Sequence, residues 1–333
     1  MTTFLIACLA FASQVEERPA VLVTIGAAGT DEYGAQFAEW AERWRDAALR
    51  GDSEVTIIGG SSETNAGPEE GPPTDHERLQ AAIRDLPPTG RSPVWIVLIG
   101  HGTFDGREAK FNLRGPDLGV DDLNAWLTRL HRPIVVVNCS SASGPFLKGL
   151  SKQNRVVVTA ARSGDEQNFA RFGDYISAAI ADPSADLDKD DQVSLLEAFL
   201  TASKRVEEFY RTEARLATEH ALLDDNGDGL GTPADWFRGV RATKRAKDGA
   251  DLDGARARQI HLVPSARESN LSPEAQRRRD ELELELEDLR SQKERLDEAE
   301  YYDRLQTILV ELSRLYQQAT PEGEAEPRPS GSD

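Results

Sequence analysis

The sequence predicts an α/β fold, with a mostly parallel sheet between layers of helices and a long helical extension after it. Apolar runs of strand length recur through residues 20–180, and amphipathic segments of helical period lie between them. Such alternation is typical of β-α-β units. Beyond residue 180 the chain changes to Asp-rich loops, a basic linker and a segment rich in Leu and Glu.

Continuous β-branched runs predict the strands, because such runs suit strands buried on both faces of a sheet. Apolar residues spaced by three or four predict the helices, as in Tyr33, Phe37, Trp40, Trp44 and Ala48. Thr74 is a suitable cap for the second helix. The predicted strands cover residues 20–27, 54–60, 94–99, 134–137 and 156–160, and the predicted helices cover residues 33–48, 75–86, 120–130 and 193–214, with a further helix starting at Gly144.

The C-terminal part is predicted to be one long helix or coiled coil. Ser272 and Pro273 suit the cap and the first helical position. A leucine stripe on a lone solvated helix would be exposed, so we expect a coiled coil or helical hairpin that pairs with itself or docks on the preceding domain. The stripe comprises Leu282, Leu286, Leu289, Leu296, Leu305, Ile308, Leu312 and Leu315.

The predicted organisation has five parts. A signal segment is followed by one large α/β domain, a polar linker, the coiled-coil helix and a tail whose composition is typical of disorder. The predicted boundaries are residues 1–19 for the signal, 20–237 for the domain with its Asp-rich loops, 238–270 for the linker, 271–318 for the coiled coil and 319–333 for the tail.

Charge and cysteine content limit the function classes. The net charge of −19 argues against nucleic acid or an anionic membrane as the main partner. Residues 4–12 form an apolar run that ends in an A-x-A pattern, which predicts export to the periplasm or the medium, with a cytoplasmic location as the alternative. The run also contains Cys8 in a lipoprotein-like setting, and we expect membrane contact only if Cys8 is lipidated.

Two reactive side chains follow neighbouring predicted strands. His101 stands between two glycines after the run that ends at residue 99, and Cys139 precedes a Ser-rich turn after the run that ends at residue 137. The carboxyl ends of parallel strands share one rim, so an imidazole and a thiol are expected there together. The helix predicted at Gly144 should lower the pKa of the thiol, and the amides of Gly102 and Cys139 are candidate oxyanion donors.

This pair of motifs resembles those of the legumain group of caspase-like cysteine peptidases. The resemblance extends to residues 111–124 and residues 158–169, the second of which is similar to the substrate-cleft segment of that group. It implies a caspase-like three-layer sandwich, a catalytic dyad of His101 and Cys139, an oxyanion hole formed by the Gly102 and Cys139 amides, and protein or peptide substrates.

The expected substrate pocket departs from that family. Legumains carry a basic residue after the first strand, and residues 26–34 contain neither Arg nor Lys. An acidic pocket for Arg or Lys side chains is the alternative, with Ser141 lining the cleft. Its predicted members are Asp31, Glu32, Asp165 and Glu166, although surface charge explains these acids equally well.

Two Asp-rich loops predict Ca²⁺ as a structural or activating ion. The first matches an EF-hand-like loop in spacing, except that Asp191 replaces the usual Gly and must adopt a positive φ. The second has the expected Gly229 but an incomplete end. The predicted ligands are Asp186, Asp188, Asp190, Gln192, Ser194 and Glu197 in the first loop, and Asp224, Asn226, Asp228 and Leu230 in the second.

Three functions remain open at this stage. The first is a cysteine endopeptidase whose acyl-enzyme is hydrolysed by water. The second is a non-catalytic, calcium-binding caspase-like scaffold that self-associates through residues 272–318. The third is a transamidase that uses the same dyad and resolves the acyl-enzyme with an amine.

Overall fold

The structure, a computed structural model, describes residues 17–60, 73–244, 252–293 and 295–319. Cys8 and most of the predicted signal, and the tail from residue 320, lie outside these residues. The strands within the described part are β1 (Ala20–Ile25), β2 (Glu54–Gly59), β3 (Val94–Ile99), β4 (Gly102–Phe104), β5 (Ala109–Phe111), β6 (Leu118–Gly119), β7 (Ile134–Asn138), β8 (Arg155–Thr159), β9 (Leu222–Asp224), β10 (Thr232–Pro233), β11 (Phe237–Arg238) and β12 (Arg241–Ala242).

Helices cover both faces of the central sheet, which gives the predicted three layers. They are α1 (Asp31–Arg50), α2 (Asp75–Asp85), α3 (Val120–Leu127), α4 (Gly144–Leu150), α5 (Phe172–Ala179), α6 (Leu195–Thr212), α7 (Ala266–Ser269), α8 (Pro273–Ser291) and α9 (Glu298–Ala319). Helices α1, α5 and α6 pack on one face, and α2, α3 and α4 pack on the other. Thr74 caps α2 through a capping box, as predicted.

The central sheet is mixed but mostly parallel, which confirms the predicted class. Its seven strands have the order β2-β1-β3-β7-β8-β9-β10. The first five are parallel, whereas β9 and β10 run antiparallel to their neighbours. The five parallel strands have the order 2-1-3-4-5 of doubly wound folds, which reverses direction between β1 and β3. Ligands of such sheets bind beside that reversal, at the carboxyl ends of the strands.

Alternation along the strands decides which side chains meet which helices. In β3, Trp95, Val97 and Ile99 join the core under α1 and α5, whereas Val94, Ile96 and Leu98 face the opposite layer. The residues of β7 alternate in the same way, and Cys139 belongs to the core under α1 and α5.

A small second sheet was not predicted. The polar segment after β3 folds into three short antiparallel strands, β4, β5 and β6. Phe111 and Leu118 anchor it because both side chains are fully buried in the core on the α2 side. Two isolated apolar positions in a polar segment were too weak a pattern to predict strands.

The segment forms two helices, α8 and α9, so the helical-hairpin alternative is confirmed and a single uninterrupted helix is not. Helix α8 ends at Ser291, with Gln292 as its C-cap, and the Asp297 carboxylate accepts the Ala299 N–H at 2.9 Å where α9 begins. The two helices fold back on each other around Leu282, Leu289 and other members of the predicted stripe. A helical hairpin therefore satisfies the apolar positions that a single helix would expose.

The described part of the predicted linker is packed on the α/β domain. The Asp253 carboxylate accepts the Asp225 N–H at 2.9 Å and the Thr232 hydroxyl at 2.6 Å. The Asp225 carboxylate accepts the Ala257 N–H at 2.8 Å. These contacts fasten the chain beside the second Asp-rich loop before it enters the hairpin. None of the described helices is both long and apolar enough to cross a membrane.

Candidate functional site

The candidate site lies at the carboxyl ends of β1, β3 and β7, beside the reversal of strand order. Strands β3 and β7 pair in parallel with Leu98 opposite Asn138. The ladder continues one residue further, where the Cys139 N–H donates to the Leu98 carbonyl at 2.9 Å. Cys139 thus follows the end of β7 opposite Ile99, and His101 lies two residues beyond Ile99; both side chains lie on the side of α1.

His101 is held in one tautomer. Its Nε2 lies 3.2 Å from the Ala28 carbonyl oxygen in the loop after β1. A carbonyl oxygen only accepts, so Nε2 carries the hydrogen and Nδ1 remains for proton exchange. The ring packs among aromatic side chains, with centroid separations of 4.8 Å to Tyr33, 5.2 Å to Phe37 and 5.9 Å to Phe169.

The expectation of an activated thiol is wrong for this conformation. Cys139 is fully buried, and burial raises the pKa of its thiol. The start of α5 covers it, since a Cβ built on Gly173 would stand 2.9 Å from the Cys139 Cβ. Helix α4 begins at Gly144, five residues away, and burial outweighs any effect of its dipole on the thiol.

The predicted oxyanion hole is also not formed. The Cys139 N–H is used by the sheet, as described above, and the Gly102 N–H donates to the Ser141 hydroxyl at 3.2 Å. The same hydroxyl donates to the Gly102 carbonyl at 3.1 Å. Ser141 is therefore a buried clamp between the two strand ends, and its place in the substrate cleft stays a prediction. The reason is local, since the buried turn must satisfy its own polar groups.

The turn after Cys139 is tight and strained. Ala142 has a φ of +54°, a left-handed conformation that costs a residue with a Cβ about 1 kcal/mol or more. Its N–H donates to the Glu166 carbonyl at 2.7 Å. The strained turn is thereby tied to the segment that follows β8.

The four predicted pocket acids occupy different settings. Asp31 and Glu32 are exposed in the first turn of α1, where acids favour the helix dipole. Asp165 is exposed. The Glu166 carboxylate already binds Arg162 at 3.1 Å and His220 Nδ1 at 2.5 Å. An unpaired Glu166 in an acidic pocket does not fit this arrangement, whereas the other three acids stay a prediction.

Glu219 and His220 were not among the predicted catalytic, pocket or metal-binding residues. The buried Glu219 carboxylate accepts the N–H groups of Arg171 and Phe172 at 2.8 and 3.0 Å, at the start of α5. Burial raises the pKa of Glu219. The adjacent His220 binds Glu166. The sequence signal for this pair is that residues 219–229 resemble a string of legumain-like proteins, and it does not reveal the partners of Glu219 and His220.

The first Asp-rich loop brings three predicted ligands together. Carboxylate oxygens of Asp186, Asp188 and Asp190 lie within 4.8 Å of one another. Burial, with the charges of Asp190 and Glu197, raises the pKa of Asp188 to about 6. Asp191 adopts a φ of +69°, which confirms the prediction for that position.

The other predicted ligands of this loop are engaged in hydrogen bonds. One oxygen of the Glu197 carboxylate accepts the Ser194 N–H at 2.9 Å at the start of α6, and the other accepts the loop N–H groups of Leu187 and Asp188 at 2.7 and 3.1 Å. The Gln192 side-chain oxygen accepts the Ser265 N–H at 3.0 Å. Three of the six predicted oxygen donors are therefore clustered, and oxygen donors of this kind suit Ca²⁺.

The second loop folds as a similar turn. The Asp224 carboxylate accepts the N–H groups of Gly227 and Gly229 at 2.9 and 3.0 Å. Asn226 and Asp228 accept from the backbone two residues further along the loop. Leu230 would contribute only its carbonyl. This loop is occupied by its own backbone, and its calcium ligands stay a prediction.

The chain is similar to solved structures but not to any family model or curated protein. No protein-family model matches the chain, and no curated protein matches it. The crystal structure of the Drosophila initiator caspase Dronc is similar over 64% of this chain and 81% of that chain, with 11% identity and a TM-score of 0.39. Caspase-1 from Spodoptera frugiperda is similar over 63% of this chain and 86% of that chain, with 8% identity and a TM-score of 0.36. Both TM-scores are below 0.5, and at that level the likeness assigns neither a family nor an activity.

Proposed function

We propose that the chain is a cysteine endopeptidase of the legumain and caspase-like type. The Cys139 thiol gives its proton to His101, and the thiolate attacks the carbonyl carbon of a peptide bond. The C–N bond breaks, His101 passes the proton to the leaving amine, and a thioester to Cys139 remains. Water then hydrolyses the thioester and releases the acid product. The observation that carries this proposal is the in-register pairing of β3 with β7, which sets an imidazole and a thiol after neighbouring strands.

The environment of His101 supports its part in this reaction. The Ala28 carbonyl fixes the ring and its tautomer without neutralising a charge, which leaves Nδ1 able to take and give a proton. The position of the ring beside the β1–β3 reversal is where a substrate of a doubly wound sheet is expected.

A non-catalytic scaffold is the second candidate, and the buried thiol favours it. In this conformation Cys139 is covered and both candidate oxyanion amides are occupied. Such a chain would bind a peptide segment without cleaving it, and the α8–α9 hairpin would provide self-association. The two candidates differ in whether Cys139 ever becomes reactive.

Labelling with a peptide-based thiol electrophile tests the proposal. The full chain would carry Cys8→Ser, so that any adduct reports Cys139. We expect an adduct on Cys139 that forms at least about tenfold more slowly in His101→Ala. This threshold is set below the factor of about a hundred that a positioned proton-transfer group contributes at the lower end. His131→Ala, which changes a histidine outside the candidate site, is the matched control.

The outcomes separate the candidates. Equal labelling of native and unfolded protein, or no effect of His101→Ala, would exclude a dyad and favour the scaffold. Hydrolysis of a peptide library with and without an added amine would then distinguish a peptidase from a transamidase.

Calcium is proposed as a structural ion of the first Asp-rich loop. Asp186, Asp188 and Asp190 would hold it, and its charge would offset the repulsion that raises the pKa of Asp188. The loop leads directly into α6 and lies outside the crevice of His101, so the ion would stiffen the domain rather than take part in the reaction.

A further inference from the structure

The segment that follows β8 covers the candidate site. Residues 161–173, here called the closure segment, run from the end of β8 into the first turn of α5. It overlaps residues 158–169, which resemble the substrate-cleft segment of the legumain group. In the structure it lies across the strand ends and leaves Cys139 with no exposed surface.

Two residues of the closure segment, Gly173 and Phe169, cover the site. Gly173 lies against the Cys139 Cβ and against the ring of Trp40. Phe169 packs with ring centroids 5.9 Å from His101, 4.7 Å from Tyr33 and 6.0 Å from Trp40. The aromatic side chain thus occupies the space beside the imidazole, where a substrate residue would have to lie for proton transfer.

Glu219 and His220 fasten the closure segment at two points. Glu219 binds the backbone at Arg171 and Phe172 near its end, and His220 binds Glu166 near its middle. Because the two fastening residues are adjacent, one shift of residues 219–220 would release both attachments. Residues 165, 167 and 168 of the closure segment are exposed, and such polar surface segments open at lower free energy than core strands.

We propose that the closure segment is an autoinhibitory plug, latched by Glu219 and His220, and that the site accepts a peptide only when Phe169 leaves His101. The autoinhibitory role rests on the proposed function. The plug itself concerns only the access of solvent and reagents to Cys139. Opening would return the thiol to solvent and remove the burial that raises its pKa.

Alkylation of Cys139 by iodoacetamide tests the plug without requiring any activity. The full chain carries Cys8→Ser, and mass spectrometry measures the rate of modification under native conditions and in urea. We expect slow modification of the native protein, and an increase of about tenfold or more in Phe169→Ala and in Glu219→Ala. Phe146→Ala is the matched control, because Phe146 is fully buried on the opposite face of the sheet.

A second readout guards against simple loss of folding. In Glu219→Ala, hydrogen exchange should accelerate at the amides of Arg171 and Phe172 while β3 and β7 stay protected. Native modification as fast as modification in urea would overturn the plug. So would equal rates for Phe169→Ala, Glu219→Ala and Phe146→Ala, since global destabilisation would then explain the access.

The alkylation rate of Cys139 and the rate of peptide hydrolysis together distinguish failure of the plug from failure of the proposed function. Faster alkylation in the opened variants without peptide hydrolysis would support the plug and contradict the peptidase. Peptide hydrolysis that is equally fast in the unsubstituted chain and in Phe169→Ala would support the peptidase and overturn the plug.

Discussion

Gly173 lies so close to Cys139 that no side chain fits between them. A Cβ built on Gly173 would stand 2.9 Å from the Cys139 Cβ and 2.6 Å from the Trp40 ring, well inside van der Waals contact. The absence of a side chain at this position therefore allows α5 to begin directly over the thiol. Burial of the thiol follows from this close approach.

Gly173→Ala should destabilise the protein by about 1–3 kcal/mol, because the added methyl group must displace α5 or Trp40. Urea unfolding measures the loss, and alkylation of Cys139 should become faster. Gly34→Ala is the control. Gly34 lies within α1, and a Cβ there would meet only Ala28, at an ordinary 3.6 Å. That change should be neutral or stabilising. Equal stability of the two variants would contradict the close packing.

His261 should make the protein sensitive to acid. Burial lowers the pKa of His261 to about 4, from an ordinary value of 6.5. The unfolded chain therefore binds a proton below pH 6.5 that the folded protein does not bind until about pH 4. The free energy of unfolding should fall between these values, by at most about 3 kcal/mol.

His261→Gln tests this dependence. Unfolding in urea at several pH values between 4 and 7 should show a flatter curve for the variant than for the unsubstituted chain. The difference between the two curves is the relevant measure, because buried carboxyl groups with a raised pKa, such as Asp253, change the free energy of unfolding with pH in the opposite direction. Parallel curves would rule out the assignment to His261.

Calcium should raise the melting temperature. Binding to the folded protein at about 100 times the Kd stabilises it by about 2.7 kcal/mol. Asp188→Asn should remove most of the increase, and Asp46→Asn, an exposed aspartate of α1, should leave it unchanged. No increase at millimolar calcium, or an equal increase in Asp188→Asn, would contradict a site in the first loop.

The α7–α8 contact depends on a buried ion pair between Glu268 and Arg279. Glu268→Gln removes the buried carboxylate that both terminal nitrogens of Arg279 contact and leaves Arg279 with the Asp280 carboxylate at 2.7 Å. The change should cost at most about 3–5 kcal/mol. Urea unfolding and limited proteolysis within the hairpin measure this loss. Arg278→Gln is the control, because its ion pairs lie at the surface and should matter much less. Similar effects of the two changes would show that burial of the pair is unimportant.

Much of the fold was predictable because strong periodicity and turn chemistry agree. The five parallel strands lie within a residue or two of their predicted bounds, and Thr74 and Gly144 begin helices as expected. Local patterns did not predict the break at Asp297, because a helical hairpin and a single helix share the same leucine spacing. Nor did they predict β4–β6, whose pairing is held by a few buried positions.

The candidate site was predictable in its location only. The ends of β3 and β7 follow from the strand pattern, so the neighbourhood of His101 and Cys139 could be predicted. Access to the thiol depends on Gly173 and Glu219, which meet the site through contacts distant in sequence. A glycine at the start of a helix carries no signal of what will lie beneath it.

The crevice of the candidate site and the α8–α9 hairpin lie at opposite ends of the sheet. The crevice is at the carboxyl ends of the strands, whereas Arg279 and Asp280 of α8 share a cavity of about 430 Å³ with Pro19, Pro93 and Asn154 beside the strands' amino ends. Six-residue strands rise about 20 Å between these ends. A chain immobilised or fused through α9 would therefore present its crevice away from the support, free for an incoming polypeptide.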